Sequence, residues 1–108
     1  MAQLKGGISI MKEISPNEVN ALLKGNSTIN IIDVREVDEV KAGKIPNAMH
    51  IPLGLVEFRM QDLDKSKEYI MVCRSGGRSS RAAKLLEDHG YKVLNMTGGM
   101  LEWNGPIE

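Results

Sequence analysis

Only one cysteine occurs in the 108-residue chain, together with one tryptophan, one phenylalanine and no net charge. A single cysteine excludes an intramolecular disulfide, and a chain with neither disulfides nor a signal peptide is expected in a reducing cytoplasm. Fourteen basic and fourteen acidic side chains cancel, so the overall field gives no reason to expect nucleic acid or a membrane surface as a partner. No apolar run is long enough for a transmembrane helix, and no internal repeat or low-complexity tract is present. The two histidines, His50 and His89, lack the paired spacing of a metal site, so no metal is expected and capping or surface roles suit them. The seven methionines are scattered rather than striped and read as filler.

At 108 residues and 42% hydrophobic content, the chain holds enough apolar surface for one modest core and not for two. The opening MAQLKGGISI is weakly patterned, so residues 1–10 are expected to be a flexible extension and 11–108 a single domain. Within that domain short β-type runs alternate with helical stretches. Ser15-Pro16-Asn17-Glu18 is a capping box with proline at the first helical position; Val19, Leu22 and Leu23 follow on one face and Gly25 stops the helix. Thr28 to Val34 is a β-branched run that suits a strand buried on both faces of a parallel sheet. A short charged helix is expected from Glu36 to Ala42, a brief strand from Ala48 to Ile51 and a helix from Leu53 to Met60. Tyr69 to Val72 reads as a strand, Ser79 to His89 as a helix with Ala82, Leu85 and Leu86 inward and Gly90 as its cap, and Val93 to Met96 as a strand. This alternation predicts an α/β sandwich.

The lone cysteine stands at the end of one of these strands. In YIMVCRSGGRSS, Cys73 follows an apolar run and leads into Arg74, Ser75, Gly76, Gly77, Arg78 and Ser79, the edge of an open α/β sheet at which ligands bind. Gly76 and Gly77 permit positive φ and expose backbone amides, so successive N–H groups can form an anion cradle at a helix N-terminus. Arg74, Arg78, Arg81 and Lys84 precede the first acid, Glu87, which gives a neutral protein a basic mouth and points to an anionic substrate. Amides, helix dipole and guanidinium groups all favour the thiolate, so Cys73 is expected to be reactive near neutral pH. Asp33 and Arg35, near Glu39, are expected to form a structural ion pair that braces neighbouring loops. Trp103, beside Leu101, reads as a core plug.

The run from Cys73 to Ser79 resembles the active-site loop of rhodanese-like sulfurtransferases. Ile32-Asp33-Val34-Arg35 with Glu36 and Glu39 is similar to that family's Asp-Val-Arg segment. Gly43 to Ala48 and Ile51-Pro52 resemble its Gly-His-Ile-Pro-Gly-Ala and Ile-Pro segments, and Gly98-Gly99 with Trp103 its closing motif. Two positions depart from the pattern: Lys44, where histidine is common and where an exposed side chain is expected, and Asn47, where glycine is common and where asparagine tolerates positive φ. The resemblance implies a three-layer sandwich with a mostly parallel sheet of about five strands flanked by helices. It further implies transfer of sulfane sulfur from an anionic donor such as thiosulfate, through a persulfide on Cys73, to cyanide, a small thiol or a protein acceptor. Residues 74–79 would bind the donor, Asp33 and Arg35 would give structural support, and no cofactor is needed.

Cysteine-dependent phosphatases and arsenate reductases also place a thiolate in an amide cradle, but with five residues between cysteine and arginine. Cys73 and Arg78 enclose four, a shorter loop that suits a sulfur atom better than a phosphoryl group. A rhodanese-like binding or sensor module without turnover is the other alternative, and such modules are expected to lack the cysteine that is present here.

Overall fold

The computed structural model describes residues 10–25 and 27–108. Residues 1–9 of the expected extension therefore lie outside the described residues. Strand β1 (Glu13–Ile14) leads into helix α1 (Pro16–Lys24), and β2 (Asn30–Asp33) precedes α2 (Val37–Lys41) and β3 (Met49–His50). After β3 come a 3₁₀ turn (Leu53–Leu55), α3 (Val56–Arg59) and a second 3₁₀ turn (Met60–Asp62). The chain ends with β4 (Glu68–Val72), α4 (Gly77–Asp88), β5 (Lys92–Met96) and a 3₁₀ turn over Gly99–Glu102.

All strand pairings are parallel, in the order β1-β5-β4-β2-β3. From β2 the chain continues to β3 on one side of the sheet's midline, and from β4 it continues to β5 on the other. The loops after β2 and β4 therefore diverge, and the crevice between them is the topological switch point where open α/β sheets bind ligands. Side chains alternate across the central strands. Ile32, Tyr69, Met71 and Val93 pack with Val56, Ala82, Ala83 and Leu86 on one face, while Ile31, Ile70, Val72 and Met96 pack with Val19 and the partly buried Leu23 and Trp103 on the other. The sheet is thus a middle layer with both faces covered, as the unbroken β-branched run of β2 requires.

The capping box forms as the sequence dictates: the Glu18 amide donates to Ser15 Oγ at 3.1 Å and the Ser15 amide to Glu18 Oε1 at 2.9 Å. Three expectations are corrected. The stretch expected as one helix from Leu53 to Met60 is broken into 3₁₀ and α turns; only Val56 in it is fully buried and Phe58 is 74% exposed, so little tertiary packing supports a longer helix. Helix α4 begins at Gly77, two residues before the expected start, and within it Ala83 is buried where Leu85 is only partly so. Lys44, expected to be exposed, pairs with Glu108 at 2.5 Å and donates to the Ala48 carbonyl, because its backbone exchanges two hydrogen bonds with Glu108. Asn47 adopts a φ of 67°, the left-handed turn conformation that asparagine tolerates.

Candidate active site

Cys73 follows the last residue of β4, and its side chain is 1% exposed. Gly76 ends the loop with a φ of 104°, open to glycine at little strain, and its N–H donates to Cys73 Sγ at 3.0 Å. Gly77 is already helical, so only one of the two glycines uses its freedom. Burial pushes the Cys73 thiol up, but the Ser79 hydroxyl and the amides of Ser79, Gly76 and Ser75 more than offset it, and the thiol pKa falls below its ordinary value. Arg74, Ser75 and Gly77 are exposed at the rim, whereas Ser79 is fully buried beneath the loop.

Two supports of this loop come from residues distant in sequence. Asn95, on the same sheet face as Val93 but polar and buried, accepts the Ser79 hydroxyl at 2.5 Å and donates Nδ2 to the Gly76 carbonyl at 3.2 Å. A polar residue at an inward position of β5 is the one signal in the sequence that points to it, and its bonding partners are not readable locally. On the other side, the amides of Met100 and Leu101 donate to the carbonyls of Cys73 and Arg74 at 2.9 and 3.0 Å. Their approach requires Gly99, with a φ of 59°: a Cβ there would lie 2.4 Å from the Arg74 carbonyl oxygen and 2.5 Å from that of Cys73.

Charge at the mouth differs from the local pattern of four cations before Glu87. Arg78 makes a two-point ion pair with Glu39 of α2, both contacts at 2.7 Å, and Lys84 pairs with Asp88. Arg74 and Arg81 have no ion-pair partner among the described residues. The Arg78 guanidinium outweighs partial burial and holds the Glu39 carboxyl down to about 2. Deeper in the crevice, Arg35 bonds both carboxylate oxygens of Asp33 and donates to the carbonyls of Glu39 and Gly43, which links the end of β2 to the segment around α2. His50 Nε2 donates to the Arg35 carbonyl at 2.7 Å, and His89 Nδ1 caps α4 through the Leu85 carbonyl. An open cavity of about 310 Å³ lies between these regions, lined by Arg35, Glu39, Ala42, Arg74, Met100 and Leu101. Among the described residues no group of acids, histidines and cysteine is arranged to hold a metal ion, and no helix is long and apolar enough to cross a membrane.

Residues 15–106 match the model of the rhodanese-like domain family. The chain is a rhodanese-like protein. YtwF of Bacillus subtilis, which carries a provisional sulfurtransferase name, is 43% identical over 95 residues, 88% of this chain and 92% of its own. A sulfurtransferase of Allochromatium vinosum is 33% identical over 95 residues, covering 87% and 89%. The crystal structure of a rhodanese-like domain protein from Staphylococcus aureus superposes with a TM-score of 0.86 at 33% identity, over 91% of this chain and 97% of that one. A rhodanese-type sulfurtransferase is therefore the activity class that family and site share.

Proposed function

We propose that this rhodanese-like protein moves sulfane sulfur through a persulfide on Cys73, with an anionic donor such as thiosulfate and an external acceptor. The observation that carries this reading is a buried strand-end thiol that accepts the Gly76 amide at 3.0 Å where the loop enters a helix N-terminus, a setting in which, against burial, Ser79, Gly76 and Ser75 lower its pKa. The Cys73 thiolate attacks the outer sulfur of thiosulfate; the S–S bond of the donor breaks, sulfite leaves with its electron pair, and a persulfide anion remains on Cys73. A thiophile then takes the outer sulfur: cyanide departs as thiocyanate, or a thiolate as a persulfide, and the Cys73 thiolate is restored. The same groups stabilise thiolate and persulfide, since each carries one negative charge at nearly one place. Arg74, exposed at the rim and without an ion-pair partner among the described residues, draws the donor in. With no second cysteine in the chain, the acceptor is a small thiol, cyanide or a partner protein, and a reducing cytoplasm keeps the nucleophile available.

Intact mass after incubation with thiosulfate tests this directly. The wild-type chain gains one sulfur atom and loses it on adding cyanide. Cys73→Ser gains none and has no turnover while keeping its fold, because a hydroxyl is a far weaker nucleophile at neutral pH. Retained turnover in that variant overturns the assignment.

A further inference from the structure

The charge on Arg78 is opposed by an acid that sulfur transfer does not itself require. Glu39 lies 39 positions away, on α2, yet both its oxygens take Arg78 nitrogens at 2.7 Å. Arg78 is the second residue of α4, the helix whose preceding Gly76 amide lies 3.0 Å from Cys73 Sγ, so its charge stands in the turn that faces the sulfur; the bond from Glu39 raises its pKa most and the Cys73 charge adds to this. Without Glu39, the charge of Arg78 would add to those of Arg74 and Arg81. Coulomb attraction is linear in ligand charge, so each uncompensated cation near the mouth acts twice as strongly on a dianion as on a monoanion. Thiosulfate is a dianion, and thiosulfonates and organic persulfides carry a single charge at the sulfur to be transferred.

We propose that Glu39 is a specificity-determining residue: by neutralising Arg78 beside Cys73 it lowers the preference for dianionic donors and favours singly charged ones of the thiosulfonate and persulfide class. This rests on the sulfur-transfer reading above. With methanethiosulfonate, CH₃SO₂S⁻, the thiolate attacks the terminal sulfur, the S–S bond breaks and methanesulfinate leaves with the electron pair, so the same persulfide forms from a donor of lower charge. The two donors share a tetrahedral sulfur centre and differ chiefly in charge, which makes their ratio a readout of the mouth's field.

Glu39→Gln is a clean variant. Glu39 Oε1 also accepts the Glu36 amide at 2.9 Å in the capping box of α2, and glutamine keeps that acceptor. The experiment measures kcat/KM for thiosulfate and for methanethiosulfonate, with cyanide as acceptor, in wild type, Glu39→Gln and the double variant Glu39→Gln/Arg78→Ala. In Glu39→Gln the ratio of thiosulfate to methanethiosulfonate rises about three- to tenfold, mainly through KM, and the gain shrinks as salt is added. In the double variant, where both charges are gone, the ratio returns to within about twofold of wild type. A ratio unmoved in Glu39→Gln, or one that stays raised in the double variant, overturns the role of Glu39. Intact mass separates this from the underlying chemistry: no added sulfur from either donor overturns sulfur transfer, whereas added sulfur with an unmoved ratio overturns only the selectivity.

Discussion

Two carboxylate–guanidinium pairs meet on one segment of this protein and solve different problems. The inner pair, Asp33 with Arg35, lies two positions apart in sequence and is almost wholly buried, at 1% and 6% exposure. The outer pair, Glu39 with Arg78, joins two distant helices and leaves each side chain about 30% exposed, 28% and 30%. They touch through the Glu39 carbonyl, which accepts Arg35 Nη1 at 3.3 Å. A buried pair surrounded by carbonyl acceptors is fixed, because losing either partner strands a charge away from water. A partly exposed pair is adjustable, because solvent takes over most of what a lost partner supplied. The contrast assigns bracing to the first and tuning to the second.

The sharpest way to break this contrast is at the inner pair. Asp33→Ala is expected to lower unfolding free energy by roughly 3–5 kcal/mol, since it leaves the Arg35 guanidinium buried and uncompensated; urea unfolding reads this as a lower midpoint at an unchanged slope. A loss under about 1 kcal/mol would put the inner pair among ordinary surface pairs. Next in size is the outer pair, read as a stability cycle of Arg78→Ala, Glu39→Gln and both together. Their coupling is expected to be at most about 1 kcal/mol, and a coupling as large as the inner pair's would make Glu39 a structural strut rather than a tuner of charge.

The smallest effect is a pH dependence, because water screens a partly exposed pair and limits the stability linked to its lowered carboxyl to no more than the pair's coupling. Glu39 titrates at about 2 in the fold against an ordinary 4.5, so the stabilisation from its pair is fully present above pH 4.5 and is lost as pH falls towards 2. Wild type should therefore lose stability more steeply than Glu39→Gln across that window, with other carboxylates contributing equally to both curves. Parallel acid limbs would show that the carboxyl is not held down by Arg78.

The inner pair was legible because both partners lie in one four-residue stretch at a strand end. So was the cradle: an apolar strand, a cysteine and a glycine-rich step into a helix are local features, and the Ser15–Glu18 box likewise marks α1. The outer pair was not legible. Nothing local to Arg78 announces that α2 will carry an acid to it, and only the β1-β5-β4-β2-β3 order brings the two loops together. Asn95 was missed for a related reason, since its bonds to Gly76 and Ser79 exist only once α4 lies on β5. Strand β1 escaped notice because a two-residue strand has no periodicity to read. The exposure expected for Lys44 failed because its partner, Glu108, lies 64 positions away.

The turn after β5 divides its labour between backbone and side chains, which matters to anyone wishing to redesign donor range. Met100 and Leu101 hold the cysteine loop through their amides and both line one wall of the adjoining cavity, but Met100 also packs against the core whereas Leu101 is exposed. An amide survives nearly any substitution, so a library can vary Leu101, altering the width and polarity of that wall, with the hydrogen bonds behind Cys73 left in place. Gly99 is the opposite kind of position. A methyl group there would meet backbone on the neighbouring strand end, so diversity introduced at this residue is spent on the scaffold rather than on the substrate.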